Sequence, residues 1–165
     1  MRSFILIVIA LAVCAPARAD TPLPPPRRHI VKSADGTVRA VSDPRTGTQI
    51  EAVPGGRILW HLPGWYRSLF VANDGKHLVT GYNGLNLIPR EPSDSLVLIT
   101  FWREGRKIKE VTLSEIVPDR RILKRTASHY FWGHIEGIDG QGPLRVKRAD
   151  DTIFYFDITS GEKTA

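Results

Sequence analysis

Apolar and polar residues alternate along most of the chain, which is typical of antiparallel strands with one buried face. In the segment 152–158 (TIFYFDI), Ile153 and Tyr155 would face one way and the phenylalanines beside them the other way. The segment 95–102 (SLVLITFW) is instead apolar almost throughout, which predicts a central strand covered on both faces. The pattern as a whole predicts about ten short strands, over residues 37–42, 48–53, 57–62, 68–73, 76–81, 95–102, 106–113, 128–137, 144–149 and 152–158.

Turn residues separate these predicted strands. Asp-Gly and Gly-Gly pairs are typical of tight hairpins, and they occur at 35–36, 55–56 and 74–75; a Glu-Gly pair at 104–105 also lies between two strand-forming runs. Only the segment 113–125 (LSEIVPDRRILKR) has a helical pattern, with Ser114 as a candidate N-cap and Pro118 at the start of a second turn. The predicted fold is therefore all-β: an antiparallel meander, propeller-blade-like or a sandwich, with one short helical segment near 114–125.

Two stretches, roughly 57–103 and 128–158, share the order of strand, tight turn, strand, longer loop and strand. That order resembles β-propeller blades of about 40 residues. The segment LFVANDGKHLVTG (69–81) resembles the inner hairpin of YVTN/WD-like repeats, and the resemblance covers roughly 57–158. A closed ring needs at least about four blades, so we expect either an incomplete, sandwich-like pair of blades or a homo-oligomer that closes the ring through exposed β edges.

The chain also resembles small exported bacterial proteins of unassigned function, and its N-terminus has the pattern of a Sec-type signal peptide. Arg2 precedes an apolar run from 4 to 13 that is short for a membrane span, and an A-x-A cleavage site follows at 17–19. We therefore expect residues 1–19 to be removed after Ala19, which would leave the protein periplasmic or secreted.

The only cysteine of the chain, Cys14, provides an alternative. The sequence LAVC resembles a bacterial lipobox, which would anchor the protein to lipid through Cys14. A lipobox normally has Gly, Ala or Ser where this chain has Val13, so cleavage before Asp20 is favoured. The mature chain would then contain no disulfide, thiol nucleophile or cysteine-based metal site.

After the signal peptide we expect a Pro-rich leader and one β domain. The leader, residues 20–28, contains TPLPPPRR and favours an extended polyproline II conformation. Residues 29–165 are the usual size of a single domain. The sequence contains no second apolar stretch of about 18 residues, so no transmembrane span is predicted.

The net charge of +6 falls to +4 without the signal peptide, because Arg2 and Arg18 are lost and no acidic residue is. This dispersed excess does not indicate nucleic-acid binding, but it favours anionic partners such as lipid head groups or acidic glycans. The densest basic run, 120–125 (RRILKR), is either a solvated surface or a patch for an acidic protein surface or a phosphate-bearing lipid. As a helix it would place its cations side by side; the candidate residues are Arg120, Arg121, Lys124 and Arg125.

The strongest candidate for a binding face is the segment 128–137 (SHYFWGHIEG). One regular strand would place four side chains on the same face, namely Tyr130, Trp132, His134 and Glu136. This face, with Trp65 and Tyr66, could stack on sugar rings or peptide side chains; alternatively, the rings simply fill the core.

Metal binding and catalysis have less support in the sequence. His129 and His134 would point apart on a regular strand, and no third ligand accompanies them, so no metal or cofactor is expected. His134 and Glu136 could form the His–carboxylate pair of a small hydrolase-like enzyme, but no nucleophile or established catalytic motif accompanies them. We therefore favour a non-enzymatic exported binding protein, with an envelope protein or a glycan as its partner, over the hydrolase.

Overall fold

The computed structural model describes residues 22–164, so the predicted signal peptide and Cys14 lie outside the described residues. In chain order the strands are β1 (His29–Lys32), β2 (Val38–Asp43), β3 (Gly47–Ala52), β4 (Ile58–Leu62), β5 (Ser68–Val71), β6 (His77–Gly81), β7 (Leu87–Ile88), β8 (Val97–Arg103), β9 (Arg106–Thr112), β10 (Lys124–Arg125), β11 (Tyr130–Phe131), β12 (Gly133–Ile138), β13 (Leu144–Arg148), β14 (Ile153–Phe156) and β15 (Lys163–Thr164). One short helix, α1 (Leu113–Ile116), and one 3-10 turn (Arg120–Ile122) follow β9.

The strands form three four-stranded antiparallel sheets, which we call blades 1 to 3. Blade 1 (29–62) has the order β1-β2-β3-β4, blade 2 (68–112) the order β5-β6-β8-β9, and blade 3 (133–164) the order β12-β13-β14-β15. A fourth, three-stranded sheet has the order β10-β11-β7. Its strands β10 and β11 lie between blades 2 and 3 in the chain, and β7 belongs to the connection between β6 and β8. The prediction of an all-β antiparallel meander with blade-like repeats is thereby confirmed.

The predicted boundary of the first repeat was wrong. We expected a blade to begin near residue 57, but β4 is the last strand of blade 1, where it pairs with β3 from Thr48↔Leu62 to Glu51↔Ile58. The intervening turn contains Gly55 and Gly56, both at positive φ, which close a hairpin and keep β4 with β3. The connection from blade 1 to blade 2 comes only afterwards, at 63–67.

The hairpin between β5 and β6 has the predicted Asn-Asp-Gly turn. Gly75 adopts a φ of 67°, and Oδ1 of Asp74 accepts hydrogen bonds from the backbone N–H groups of Lys76 and His77 at 2.8 and 3.0 Å. The predicted central strand is confirmed as well. In β8, residues 98–101 are all buried, because this strand lies between β6 and β9 in a sheet whose two faces are both covered by apolar clusters.

Blade 2 is the centre of the molecule. Its residues Leu69, Val71 and Leu78 pack with apolar residues of blade 1 in one buried cluster. Val79, Leu98 and Phe101, from the other face of the same sheet, pack with apolar residues of blade 3 in a second, larger cluster. Each outer blade therefore buries one face against blade 2, as layered β structures require.

The helical segment begins two residues earlier than predicted. Thr112, rather than Ser114, is the N-cap of α1, and the Glu115 carboxylate accepts from the backbone N–H and the hydroxyl of Thr112 at 2.7 and 2.9 Å. This reciprocal arrangement is a capping box, and Thr112 can take part because β9 leads directly into the helix.

Candidate ligand-binding sites

The segment 128–137 is not one strand, so the prediction that Tyr130, Trp132, His134 and Glu136 share one face is wrong. Residues 130–131 belong to the small sheet and pair with β7 and β10, whereas β12 starts at Gly133 and pairs with β13. Gly133 has a φ of 138°, and a Cβ there would collide with the carbonyl oxygen of Lys147. This glycine breaks the alternation and sends the side chains before and after it to different parts of the molecule.

Trp132 is a core residue with one edge at a pocket. Its exposed fraction is only 1%, and its indole N–H donates to the carbonyl of Leu85 at 2.8 Å. The exposed His134 follows, and both side chains line a pocket of about 200 Å³. The other lining residues are Ser68, Gly81, Tyr82, Leu85, Asn86 and Ile135.

The predicted His–carboxylate pair is present but open to solvent. Nε2 of His134 lies 3.5 Å from Oε1 of Glu136, and the same carboxylate forms an ion pair with Arg145. Ser68 lines the same pocket as His134, yet among residues 22–164 no hydrogen bond joins the two side chains. The arrangement therefore lacks the nucleophile–base hydrogen bond that hydrolytic chemistry uses.

Tyr130 lies in a second pocket, together with a residue of the predicted basic patch. This pocket has a volume of about 360 Å³ and is lined by Arg90, Pro92, Asp94, Arg120, Leu123 and Tyr130. We call it the arginine pocket. The guanidinium carbon of Arg90 lies 5.4 Å from the centre of the Tyr130 ring, which is within the range of a cation–π contact.

Both arginines of the arginine pocket are held in place by neighbouring oxygen atoms. Nη2 of Arg90 donates to the carbonyls of Thr126 and Ala127, each at 2.8 Å. Nη2 of Arg120 pairs with the carboxylate of Asp94. Within the described chain, Nε of Arg90 and Nη1 of Arg120 are buried and have no hydrogen-bond partner. Each guanidinium therefore keeps an unused donor, and an unpaired buried donor is costly.

The remaining members of the basic patch do not join Arg120. The predicted helix over 119–125 is wrong beyond residue 122, because residues 124–125 form β10 in the small sheet and leave Lys124 and Arg125 exposed. Arg121 turns back onto Asp119, with Nη2 and Oδ2 2.8 Å apart. Hydrogen bonds from this guanidinium and from the Arg121 backbone N–H lower the pKa of Asp119.

Trp65 and Tyr66 lie far along the chain from Trp132, on the connection between blades 1 and 2. The indole N–H of Trp65 donates to the carbonyl of Arg27 at 2.9 Å, so this ring holds the Pro-rich leader. The Tyr66 ring packs edge-on to Trp102, with ring centres 6.2 Å apart, and burial raises the pKa of its phenol. The six predicted aromatic and polar residues are thus divided among three places.

Sequence reasoning missed Arg67, Arg90 and Asp94. None of them belongs to a recognisable motif, and each acquires its role through residues 26 to 43 positions away. No local pattern could have marked them, because their partners are brought close only by the packing of separate elements.

Within 22–164, no group of three or more His, Cys, Asp or Glu side chains is arranged to hold a metal ion. The same part of the chain contains no helix with the length and apolar character needed to cross a membrane.

Several solved structures are similar to this chain. The chain is similar to the solved RRP9 WD40 repeats and to U3-55K, each with 12% identity and a TM-score of 0.43, and to the complex of KlAtg21 with the coiled coil of AgAtg16, with 15% identity and a TM-score of 0.41. Each similarity covers 82% of this chain but only 36 or 37% of the other, so the chain spans about a third of the length of these structures.

No protein-family model and no curated protein matches the sequence. At TM-scores this low, the similarity to the solved structures carries no argument about activity or partner. The blade-like fold is established by the strand order and pairing of the chain itself.

Proposed function

We propose that this protein is an exported, non-enzymatic binding protein that holds an acidic group of its partner in the arginine pocket. The observation that carries the proposal is the convergence of Arg90, Arg120 and the Tyr130 ring on one pocket, with an unused donor on each guanidinium. Arginine suits this task because its planar group stays charged and binds carboxylates through paired hydrogen bonds.

The chemistry of the arginine pocket favours a carboxylate next to an apolar or aromatic group. Asp94 neutralises part of the positive charge, but its side chain is 80% exposed, so its ion pair with Arg120 is weakened by water and can be exchanged for a ligand's carboxylate. The Tyr130 ring offers a flat surface beside the cations. An acidic surface of an envelope protein or an acidic glycan would provide such groups.

Export remains a proposal supported by the N-terminal sequence pattern. The alternative function, a hydrolase using His134 and Glu136, has less support. The Glu136 carboxylate is shared with Arg145, and within 22–164 no nucleophile is hydrogen-bonded to His134. An exposed acid–base pair that shares its carboxylate with an arginine is better suited to a surface ion pair than to hydrolysis.

The proposal can be tested by titrating a hexaglutamate peptide into the protein and following the Arg side-chain Nε–H resonances by NMR. We expect the resonances of Arg90 and Arg120 to shift together. Arg120→Gln should weaken binding about tenfold, since it removes one charge-assisted hydrogen-bonding group of about 1.5 kcal/mol. Binding should also weaken as salt is added.

Arg121→Gln is the matched control, because it removes the same charge at the next position, where the Arg121 side chain is 90% exposed. Equal losses in the two variants would show only a nonspecific response to net charge and would contradict the proposal. So would peptide binding that leaves the Arg90 resonance unmoved.

A further inference from the structure

The Pro-rich leader is bound to the blade 1–blade 2 connection through two backbone carbonyls. The indole N–H of Trp65 donates to the carbonyl of Arg27 at 2.9 Å, and Nη2 of Arg67 donates to the carbonyl of Pro24 at 2.7 Å. The two residues of the first contact are 38 positions apart in the sequence, and those of the second are 43 positions apart. They are therefore tertiary contacts rather than consequences of local chain geometry.

The spacing of the two carbonyls matches the period of a polyproline II helix. Pro24, Pro25 and Pro26 each fix their own φ near −65°, and a residue that precedes a proline is restricted to extended conformations. A polyproline II helix has three residues per turn. The carbonyls of residues 24 and 27 therefore lie on the same side of the leader, facing the two donors.

The two donors are also held by contacts with residues outside the leader. The guanidinium carbon of Arg67 lies 4.9 Å from the centre of the Trp65 ring, a cation–π contact that orients both groups. His29 packs edge-on against the same indole, with ring centres 5.7 Å apart. The backbone N–H of Arg67 donates to Oδ1 of Asn83 at 3.0 Å, which ties the connection to blade 2.

The chemistry of this surface fits a proline-rich ligand in particular. Proline has a carbonyl but no N–H, so a surface that recognises it needs donors and an aromatic face rather than acceptors. Trp65 and Arg67 provide one donor each, and Nε of Arg67 is a further donor that is buried and has no partner among the described residues.

We propose that Trp65 and Arg67 form a recognition site for polyproline II segments and that the leader of the same chain is its resident ligand. When the leader is displaced, the site binds the same segment supplied by another molecule. Residues 22–28 are all exposed, so the leader is held through its carbonyls and buries little apolar surface. Segments with few buried contacts open at low free-energy cost. The leader can therefore leave without unfolding the blades.

The four tryptophans supply the experiment with its own controls. Each indole N–H donates to a different oxygen: Trp60 to the carbonyl of Gly75, Trp65 to that of Arg27, Trp102 to the hydroxyl of Thr80 and Trp132 to the carbonyl of Leu85. In the full chain labelled with 15N at tryptophan, replacing Pro24, Pro25 and Pro26 with glycine should move only the Trp65 indole resonance.

Adding a synthetic peptide with the sequence of residues 21–28 to this glycine variant should return the Trp65 resonance toward its original position. The same peptide with glycine in place of every proline should bind at least tenfold more weakly. Arg67→Lys, placed in the glycine variant, should weaken binding of the proline peptide by a similar factor, because lysine cannot reproduce the planar stacking on Trp65. Arg106→Lys, an exposed change elsewhere, should have no effect.

Any one of three results would overturn the proposal. The first is a Trp65 resonance that stays in place when the prolines are replaced. The other two are a Trp65 resonance that does not respond to the proline peptide at millimolar concentration, and one that responds equally to the glycine peptide. The resonances of Trp60, Trp102 and Trp132 report in each case that the blades are still folded. The arginine pocket is not involved in any of these measurements, so the outcome is independent of the proposed function.

Discussion

Asp74 shows how a single side chain stabilises the central hairpin of blade 2. One carboxylate oxygen accepts the two backbone N–H groups of the turn, and the other lies 2.6 Å from Nδ1 of the buried His77. Burial raises the pKa of Asp74, but hydrogen bonds from the His77 side chain and from the backbone outweigh this effect and lower it overall. The ionised form is thus the one that the fold prefers.

A pH-dependent loss of stability should follow when Asp74 is replaced by asparagine. A carboxyl group whose pKa is lowered by folding stabilises the protein above its unfolded pKa of about 3.9, and that contribution disappears as the pH falls through the folded pKa. We expect Asp74→Asn to reduce the free energy of unfolding by about 1 kcal/mol at pH 7, since the site is partly screened by water. Urea denaturation at pH 7 and pH 3 measures this difference.

The difference between the Asp74→Asn variant and the original protein should shrink at pH 3. Glu91→Gln, which removes an exposed carboxylate, should cost little at either pH and serves as the control. A loss of stability that is the same at both pH values would show that the asparagine disturbs the turn sterically, and the electrostatic explanation would then be wrong.

Gly133 divides the segment 128–137 into two strands, β11 and β12. Its φ of 138° lies in a region that side chains with a Cβ avoid, and the carbonyl oxygen of Lys147 occupies the space that a Cβ would need. The chain can therefore bury Trp132 in the core and immediately afterwards begin β12. Two separate pockets result, one at Trp132 and His134 and the other at Tyr130.

Gly133→Ala should destabilise the protein by about 2–4 kcal/mol, because it combines backbone strain with a steric clash against an ordered strand. Gly36→Ala is a matched control: its φ is 74°, but a Cβ there would meet no atom within 4 Å. We expect the control to cost about 1 kcal/mol from the backbone alone. Equal midpoints for the two variants in guanidinium denaturation would contradict the steric argument.

On the scale of the whole molecule, blades 1 and 3 each have one sheet face that no other blade covers within residues 22–164. In blade 1, Val31 packs toward blade 2, so Ile30 lies on the opposite face and is 43% exposed. In blade 3, Phe154 and Phe156 face the core, and Tyr155 between them is 38% exposed. Four of the six exposed large apolar residues described here lie on these outer faces, namely Ile30, Ile58, Ile153 and Tyr155.

We expect these outer faces to join two copies of the chain in solution, blade 3 of one against blade 1 of the other. The faces also carry charged groups such as Arg145 and Lys147, so the association should be weak and concentration-dependent rather than obligate. Size-exclusion chromatography with light scattering should show a dimer at high protein concentration. Ile58→Glu should return it to a monomer, because it places a charge on a face that would otherwise be desolvated.

Ser114→Glu, an exposed change on α1 rather than on an outer face, is the control for a change in charge and should leave the dimer intact. A monomer at every concentration would contradict this expectation. Persistence of the dimer in the Ile58→Glu variant would place the contact elsewhere.

Much of the fold could be predicted because its determinants are local. The turn at Asn73-Asp74-Gly75 is specified by residues within it, and the strand 97–103 is apolar because it is covered on both faces. The division of the strands into blades was not predictable in the same way. Whether β4 closes one sheet or opens the next depends on which of two neighbouring sheets it pairs with, and its own residues would suit either.

The sequence by itself determined the class of structure, the hairpin turns and the presence of a proline-rich leader, since alternation, glycine and proline act on the residues next to them. Only the tertiary structure decided that Tyr130 meets Arg90, that Trp65 meets Arg27, and that Trp132 is buried while His134 is exposed. The reason is physical: these arrangements depend on contacts between segments far apart in the chain, and a single glycine at 133 reverses the alternation that a local pattern assumes.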